Sequence, residues 1–274
     1  MSAFYETLEA IQNEYSKGDA DFTVTDLNEP PRIAILKKAF GEKRGIENSL
    51  PAILGNAIHN LFEKYSPDTV LNEQRVYGQF GDIKLGGKFD WLQLEDGILS
   101  DVKTARADSF SYKMRENFKD WTDQLNRYRY LLHLNNFNVS ELKVYAILVD
   151  WSPLITKDGY PTSPIQEVEI MMHPLDYIKK DIEERLDALR AAQKELPECT
   201  AADRWALDKW AVMKQGRDRA VKLFMSESDA YDWLSDQNDR NKMYVEFREG
   251  ESKRCMHYCS VAHVCTQWKD LQGE

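Results

Sequence analysis

Apolar and polar residues alternate along three consecutive stretches in the first half of the chain. Because successive side chains of a strand point to opposite faces, the alternation predicts strands over residues 73–80, 83–94 and 98–104. Gly81-Asp82 and Asp96-Gly97 separate the stretches, and both dipeptides favour tight hairpin turns. The sequence therefore predicts an antiparallel meander of three strands.

Apolar residues at helical spacing flank the meander on both sides. They predict helices over 33–38 and 51–65 before it and, after a polar connector to about residue 117, a helix over 121–134. A continuous apolar run over 142–149 is typical of a strand inside a sheet, and 168–172 is a candidate for one more strand. This order of elements predicts an α/β core in which helices flank a mixed central sheet.

A charged helix predicted over residues 177–194 ends near Pro197, and a smaller pattern follows it. The smaller pattern predicts the order ββαβ, with strands over 210–214 and 220–224, a helix over 226–234 and a strand over 243–247. We therefore expect a core over residues 1–196 that includes an N-terminal helical segment. An α+β subdomain bounded by cysteines is expected over residues 197–274.

Composition and charge narrow the class of protein. With 42% hydrophobic residues and no apolar run of about 18 residues, no transmembrane helix is expected. The first residues lack the basic start and apolar stretch of a signal peptide, so we expect a cytoplasmic protein with no membrane partner. The formal net charge of −10 argues against a protein that coats nucleic acid through bulk charge, although a local basic groove remains compatible with it.

Two strands of the meander each carry one aspartate, Asp90 and Asp101, and Lys103 follows two positions after the second. Asp101 and Lys103 point to the same face of their strand. Carboxylates suit Mg²⁺ or Mn²⁺, and such an ion polarises a phosphate and activates a water. The lysine would orient or deprotonate that water, or neutralise the transition state. The alternative is a surface ion pair on a hairpin.

Four further residues are candidates for the same site. His59 would offer an imidazole ligand, although a lone helical histidine is often a buried, hydrogen-bonded residue. Glu73 opens the first strand and would add an outer-shell carboxylate or a second ligand; a solvent-facing residue is an equal alternative. Gln124 and Tyr128 lie one helical turn apart and would bind a phosphate or brace Lys103, unless they belong to an ordinary amphipathic helix.

These residues, in this order, resemble the motifs of the PD-(D/E)XK nuclease superfamily, and of its RecB-like branch in particular. His59 is similar to that branch's histidine motif, and Asp90 to its metal-binding aspartate. Asp101-Val102-Lys103 is similar to the (D/E)-x-K element, and residues 124–128 to the Gln-x-x-x-Tyr motif. The resemblance covers roughly residues 50 to 150. It implies a restriction-endonuclease-like core that cleaves DNA with a metal held by His59, Asp90 and Asp101.

The chain holds four cysteines, and none precedes residue 199: Cys199, Cys255, Cys259 and Cys265. Such a cluster in a chain of this kind favours a metal site over disulfides. Zn²⁺ and a [4Fe–4S] cluster both suit four thiolates, and His257 or His263 could replace Cys199 around zinc. The RecB-like branch includes iron–sulfur members with a C-terminal cysteine triplet, which favours the cluster. In those members the lone cysteine usually precedes the nuclease motifs, whereas Cys199 follows them.

The tail also resembles phage and prophage exonucleases of this superfamily at Pro197-Glu198-Cys199, 208–214 and 244–248. We therefore predict a metal-dependent DNA exonuclease of phage-type recombination, repair or processing. DNA is the expected partner, and a single-strand annealing or recombinase protein, a helicase or a single-strand-binding protein are further candidates. The alternative is a non-catalytic DNA-binding accessory protein that retains the nuclease fold.

Overall fold

The computed structural model describes Ile11 and residues 18–43 and 46–273. The chain divides into two compact units, Met1–Ala34 with Arg44–Glu195 and Ile35–Lys43 with Leu196–Glu274. The predicted domain boundary between residues 196 and 197 stays a prediction. The N-terminal helical segment that we predicted lies mostly outside the described residues.

The first unit is built on a mixed sheet of six strands. The strands are β1 (Phe22–Thr23), β2 (Val70–Phe80), β3 (Ile83–Gln93), β4 (Ile98–Ala105), β5 (Glu141–Leu148) and β6 (Ile165–Ile170). β3 pairs in parallel with β1 and antiparallel with β2 and β4. β4 pairs in parallel with β5, which pairs antiparallel with β6. The predicted α/β class, with a mixed central sheet flanked by helices, is confirmed.

Helix α1 (Pro31–Phe40) begins in the first unit and ends in the second. The α-helices described wholly within the first unit are α2 (Ile46–Tyr65), α3 (Ala107–Arg115), α4 (Lys119–Leu134) and α5 (Leu175–Lys194). Helix α3 lies in the stretch that was predicted to be a polar connector. It buries only Ala107 and Phe110, and most of its other residues are polar or charged, so the stretch has the composition of a connector. No described helix is both long enough and apolar enough to cross a membrane.

Helix α4 packs against the sheet where glycines make room for its large side chains. A Cβ atom on Gly87 would lie 2.4 Å from Tyr128 Cε1, and one on Gly78 would lie 2.8 Å from Leu131 Cδ2. Tyr128 and Leu131 are both buried, so the two glycines allow close approach of helix and sheet. The core that forms there holds β3 and β4, the strands that carry the candidate site.

The second unit contains a three-stranded antiparallel sheet in the order β8-β7-β9. Its strands are β7 (Lys209–Lys214), β8 (Lys222–Phe224) and β9 (Met243–Arg248), and helix α6 (Glu227–Ser235) packs against them. Ser226 caps α6, because its side chain accepts a hydrogen bond from the Asp229 N–H at 3.2 Å. The order ββαβ agrees with the prediction. Helix α7 (Thr266–Gln272) follows the last cysteine.

Gly87→Ala should destabilise the protein by about 1–3 kcal/mol, because the added methyl group would overlap the Tyr128 ring. Urea unfolding measures the decrease in stability. In a Tyr128→Leu background the same substitution should cost less, since the smaller side chain leaves room for the methyl group. Equal costs in the two backgrounds would contradict this packing.

Candidate active site

The candidate site forms where strands β3 and β4 separate. The two strands pair from Gln93↔Ile98 only as far as Trp91↔Ser100. Beyond that pair, Asp90 Oδ2 accepts a hydrogen bond from the Val102 N–H at 2.8 Å. A side chain of one strand thus satisfies the backbone of the other, and the two strands leave a gap lined with polar groups.

Three side chains from three elements meet at this gap: His59 of α2, Glu73 of β2 and Asp90 of β3. His59 Nδ1 lies 2.9 Å from Glu73 Oε1 and 3.6 Å from Asp90 Oδ2. One donor atom of each residue lies within 4.8 Å of the other two. An imidazole and two carboxylates at this spacing form a donor set that divalent cations bind.

Glu73 reaches the gap through an unusual backbone conformation. Its φ angle is +49°, in the left-handed region that non-glycine residues rarely adopt. The neighbouring residues pair with β3 as Asn72↔Trp91 and Gln74↔Phe89, whereas Glu73 itself does not. The Glu73 side chain is only 6% exposed, and it lies inside β2, which begins at Val70. Our placement of Glu73 at the start of the strand was therefore wrong, and its side chain is not solvent-facing.

Asp101 and Lys103 lie on β4 next to this group. Asp101 Oδ2 is 2.7 Å from Lys103 Nζ, but this buried oxygen makes no hydrogen bond of good geometry among the described residues. A second lysine, Lys88 of β3, contacts Glu73 Oε2 and was missed in the sequence. Its position two residues before Asp90 was the available signal, because residues two apart on a strand share a face.

Crowding of buried carboxylates shifts the pKa values in the gap. Burial, followed by the charge of Asp101, raises the pKa of Asp90 to about 7. The hydrogen bond to Glu73, outweighing burial, raises the pKa of His59. Burial alone would lower the pKa of Lys103, but the negative charges of Asp101 and Asp90 outweigh it and raise this pKa. The amine is therefore charged at neutral pH. A cation would relieve the mutual repulsion of the carboxylates, so these residues fit a divalent metal ion.

Helix α4 brings Gln124 and Tyr128 to the same unit. Gln124 is half-buried, and Tyr128 is buried against Gly87 of β3. Asp120, one turn before Gln124, helps to raise the pKa of Lys103, so this end of α4 faces the lysine. The roles predicted for Gln124 and Tyr128, in phosphate binding or in bracing Lys103, stay predictions.

The basic residues of α4 are engaged within the protein. Arg127 is buried, its Nε donates to Asp181 Oδ2 at 2.7 Å, and its Nη1 donates to Asn28 Oδ1. Lys119 pairs with Asp123 at 2.7 Å, and Arg129 Nη1 donates to the His173 carbonyl at 2.7 Å. Arg127 and Arg129 are therefore held by contacts within the protein, whereas Lys119 is 75% exposed and pairs at the surface.

The four cysteines all belong to the second unit and form no disulfide. Burial, followed by the charges of Cys259 and Cys265, raises the pKa of Cys255, so the three thiols influence one another. The fourth cysteine, Cys199, is held through its backbone by the Gln267 side chain. Gln267 Oε1 accepts a hydrogen bond from the Cys199 N–H at 2.8 Å, and its Nε2 donates one to the Cys199 carbonyl at 2.9 Å. In the described part of the chain, no three of these thiols lie within 4.8 Å of one another.

No family model matches the chain, and no curated protein matches it. Several solved structures are similar. A protein titled SSO0001 is 20% identical over 67% of this chain and 82% of its own, with a TM-score of 0.46. A phage-related exonuclease from Haemophilus somnus 129PT is 16% identical over 63% and 81%, with a TM-score of 0.38. A protein titled putative exonuclease, from Eubacterium rectale, is 11% identical over 72% and 88%, with a TM-score of 0.44.

Because these sequence identities are low, the chemistry that the chain can perform is inferred from the side chains of the site. The gap collects one imidazole, three carboxylates and two amines from α2, β2, β3 and β4. The carboxylates can bind a cation, and the amines can face an anion. The arrangement is suited to an anionic substrate that reacts with the help of a divalent metal.

In the presence of EDTA, Asp90→Asn should become more stable relative to wild type as the pH rises from 5 to about 7. The folded-state pKa of about 7 lies above the ordinary value of 3.8, so ionisation of Asp90 costs stability across this window. Asparagine avoids that charge and can still accept from Val102. Each 1 kcal/mol should shift Tm by about 2–4 °C. Exposed Asp232→Asn is the control, and an equally flat pH profile for both variants would contradict the shift.

Proposed function

We propose that this chain is a divalent-metal-dependent nuclease that hydrolyses phosphodiester bonds in DNA. The convergence of His59, Glu73 and Asp90 on one buried gap beside Asp101 and Lys103 is the observation that carries the proposal. His59, Asp90 and Asp101 would hold Mg²⁺ or Mn²⁺, and the ion would polarise the phosphate and lower the pKa of a water.

Glu73 fits the role of a second metal ligand or of an outer-shell carboxylate. His59 Nδ1 is the ring nitrogen that faces Glu73 Oε1 and Asp90 Oδ2, at 2.9 Å and 3.6 Å, so a cation among the three residues would bind this nitrogen. Lys88 contacts the second carboxylate oxygen of Glu73 and balances its charge. The contacts of Glu73 therefore hold the imidazole towards the gap.

Lys103 fits the role of an electrostatic stabiliser. Its raised pKa keeps the amine protonated, so it can neutralise negative charge on the scissile phosphate but is a poor base. The ion pair with Asp101 at 2.7 Å holds the amine towards the gap. Gln124 and Tyr128 would position the phosphate from α4.

The preference for DNA rests on the likeness of the ordered motifs to the RecB-like nuclease branch, and the preference for attack at an end rests on the likeness of the tail to phage and prophage exonucleases. On the same basis we place the enzyme in phage-type recombination, repair or processing. An annealing or recombinase protein, a helicase or a single-strand-binding protein would act beside it. A non-catalytic accessory protein is the less favoured alternative, because His59, Glu73 and Asp90 bring three donor atoms within 4.8 Å of one another.

A second metal site at Cys199, Cys255, Cys259 and Cys265 forms part of the proposal. Zinc and a [4Fe–4S] cluster both suit four thiolates, and the cluster binds each thiolate at a separate iron. The likeness of the cysteine triplet to that of the iron–sulfur members of the RecB-like branch favours the cluster over zinc. Its role would be structural, joining Cys199 to the cysteine triplet.

Lys103→Ala and Asp101→Asn should each lower cleavage of linear DNA at least about 100-fold in Mg²⁺ or Mn²⁺, because the first removes a positive charge from the reacting phosphate and the second removes a proposed metal ligand. The assay uses end-labelled linear DNA and a closed circle of the same sequence. Lys143→Ala is the matched control, since this lysine pairs with Glu167 on the neighbouring strand. Wild-type activity in Lys103→Ala would overturn the site, and cleavage of the circle would replace exonuclease by endonuclease.

Protein purified without oxygen should contain iron and sulfide and absorb visible light, if the four thiols hold a cluster. Cys259→Ser should lose the iron and lower Tm, because the thiolates join distant parts of the second unit. Exposed Met256→Leu is the control, one residue after Cys255 in the same turn. A colourless protein with one equivalent of zinc would replace the cluster by zinc.

A further inference from the structure

One hairpin of the second unit has a charge opposite to that of the whole chain. Residues 209–224, which include β7 and β8, contain five basic residues and one acidic residue, in a chain of net charge −10. Arg217, Arg219 and Lys222 are exposed near the turn. Among the described residues none of these three forms an ion pair, whereas Lys214 pairs with Asp239. The hairpin therefore presents three uncompensated cations to solvent.

A row of aromatic rings crosses the same sheet. Trp210 of β7 stands opposite Phe224 of β8 and opposite Phe247 of β9. Residues directly opposite each other in antiparallel strands share a face, so the three side chains lie on one face of the sheet. The Trp210 and Phe247 rings are 5.4 Å apart at an angle of 61°. Phe247 is 55% exposed, and the other two rings are partly exposed.

Lys222 joins the cationic turn to the aromatic row. Its Nζ lies 5.0 Å from the centre of the Phe224 ring and 5.3 Å from that of Trp233 on α6. The Phe224 and Trp233 rings are 5.9 Å apart. Cations held over aromatic faces keep their charge at the edge of an apolar surface. Lys222 therefore lies beside the rings and also belongs to the cations of the hairpin, and we call the three rings and the three cations together the aromatic hairpin.

Few ligands match both halves of this surface. Exposed rings bind flat apolar faces, and uncompensated cations bind phosphates. Unpaired nucleotides offer both, with a base and a phosphate in every repeat, and base stacking on aromatic side chains is tolerant of sequence. A double helix hides the faces of its bases inside the stack. An acidic peptide supplies charge but few flat faces.

We infer that the aromatic hairpin binds single-stranded DNA. The bases would stack on Trp210, Phe224 and Phe247. The phosphates would lie at Arg217, Arg219 and Lys222. The inference rests on the proposed function and deepens it, because it assigns the substrate an unpaired strand. The site is distinct from the metal-binding gap, and no residue is shared between the two. Its binding is therefore measurable without cleavage.

The test is fluorescence anisotropy of a labelled oligodeoxythymidine titrated with the full chain in EDTA. Phe247→Ala should weaken binding about tenfold or more, because it removes base stacking, while Phe247→Tyr keeps a ring and should keep the affinity. Arg217→Glu with Arg219→Glu should weaken binding and flatten its salt dependence, by about 0.7 in the log–log slope for each phosphate that the variant no longer neutralises.

Two matched controls separate these effects from general damage. Tyr231→Ala removes an exposed aromatic ring of α6 that lies outside the row. Lys179→Glu with Lys180→Glu reverses two charges on α5, where both lysines pair with glutamates. Both controls should bind the oligonucleotide within about twofold of wild type, and all variants should unfold cooperatively.

Unchanged affinity in Phe247→Ala and in the double arginine variant would overturn the inference. If these variants lost as much affinity for duplex DNA as for single-stranded DNA, the assignment to unpaired bases would be wrong. Binding of wild type to an RNA oligonucleotide only would overturn the assignment to DNA. A different result would contradict the proposed nuclease function. If wild type binds the oligonucleotide but cleaves no DNA, the nuclease proposal fails while the hairpin assignment stands.

Discussion

The candidate site depends on a single hydrogen bond, which the Val102 N–H donates to the Asp90 carboxylate. Adjacent antiparallel strands ordinarily continue to pair through backbone groups. Here β3 and β4 stop pairing at Trp91↔Ser100, and a charged side chain takes over as acceptor. The consequence is a carboxylate held in a buried place next to a second one, with its pKa raised to about 7. The gap therefore favours a bound cation.

Several features at this gap cost stability without serving the fold. Glu73 adopts a left-handed backbone, which costs on the order of 1–3 kcal/mol for such a residue. Asp90 is buried near a like charge, and Asp101 Oδ2 lacks a hydrogen bond of good geometry among the described residues. The close packing of α4 on the glycines of β2 and β3 can hold this arrangement in place. Local costs concentrated in one gap are typical of sites selected for chemistry.

The meander and the candidate residues could be predicted because their signals are local. Alternation along the chain marked β2, β3 and β4, and the turn at Asp96-Gly97 brought Asp90 and Asp101 to neighbouring strands. The left-handed backbone of Glu73 and the contact of Lys88 with it were not predicted, because both depend on tertiary packing. Helix α3 was missed because most of its residues are polar or charged and only Ala107 and Phe110 are buried.

Of the features of the sequence, charge was the least reliable indicator of which residues face a ligand. Arg127 follows Lys103 among several basic residues, yet its guanidinium is buried and paired with Asp181. The cationic turn around Arg217 lies in a chain of net charge −10, and nothing in the total charge reveals it. Whether a basic residue faces a ligand or an internal carboxylate depends on contacts between elements far apart in sequence. The position of aromatic rings in register is a stronger indicator, because strand pairing fixes it.

Binding of a divalent cation in the gap between β3 and β4 can be observed in crystals soaked in Mn²⁺ and measured near its absorption edge. Wild-type crystals should show an anomalous difference peak bounded by His59, Asp90 and Asp101, and Asp90→Asn crystals should lack it. An empty gap at saturating Mn²⁺, or a peak that persists in Asp90→Asn, would contradict a cation site in this gap.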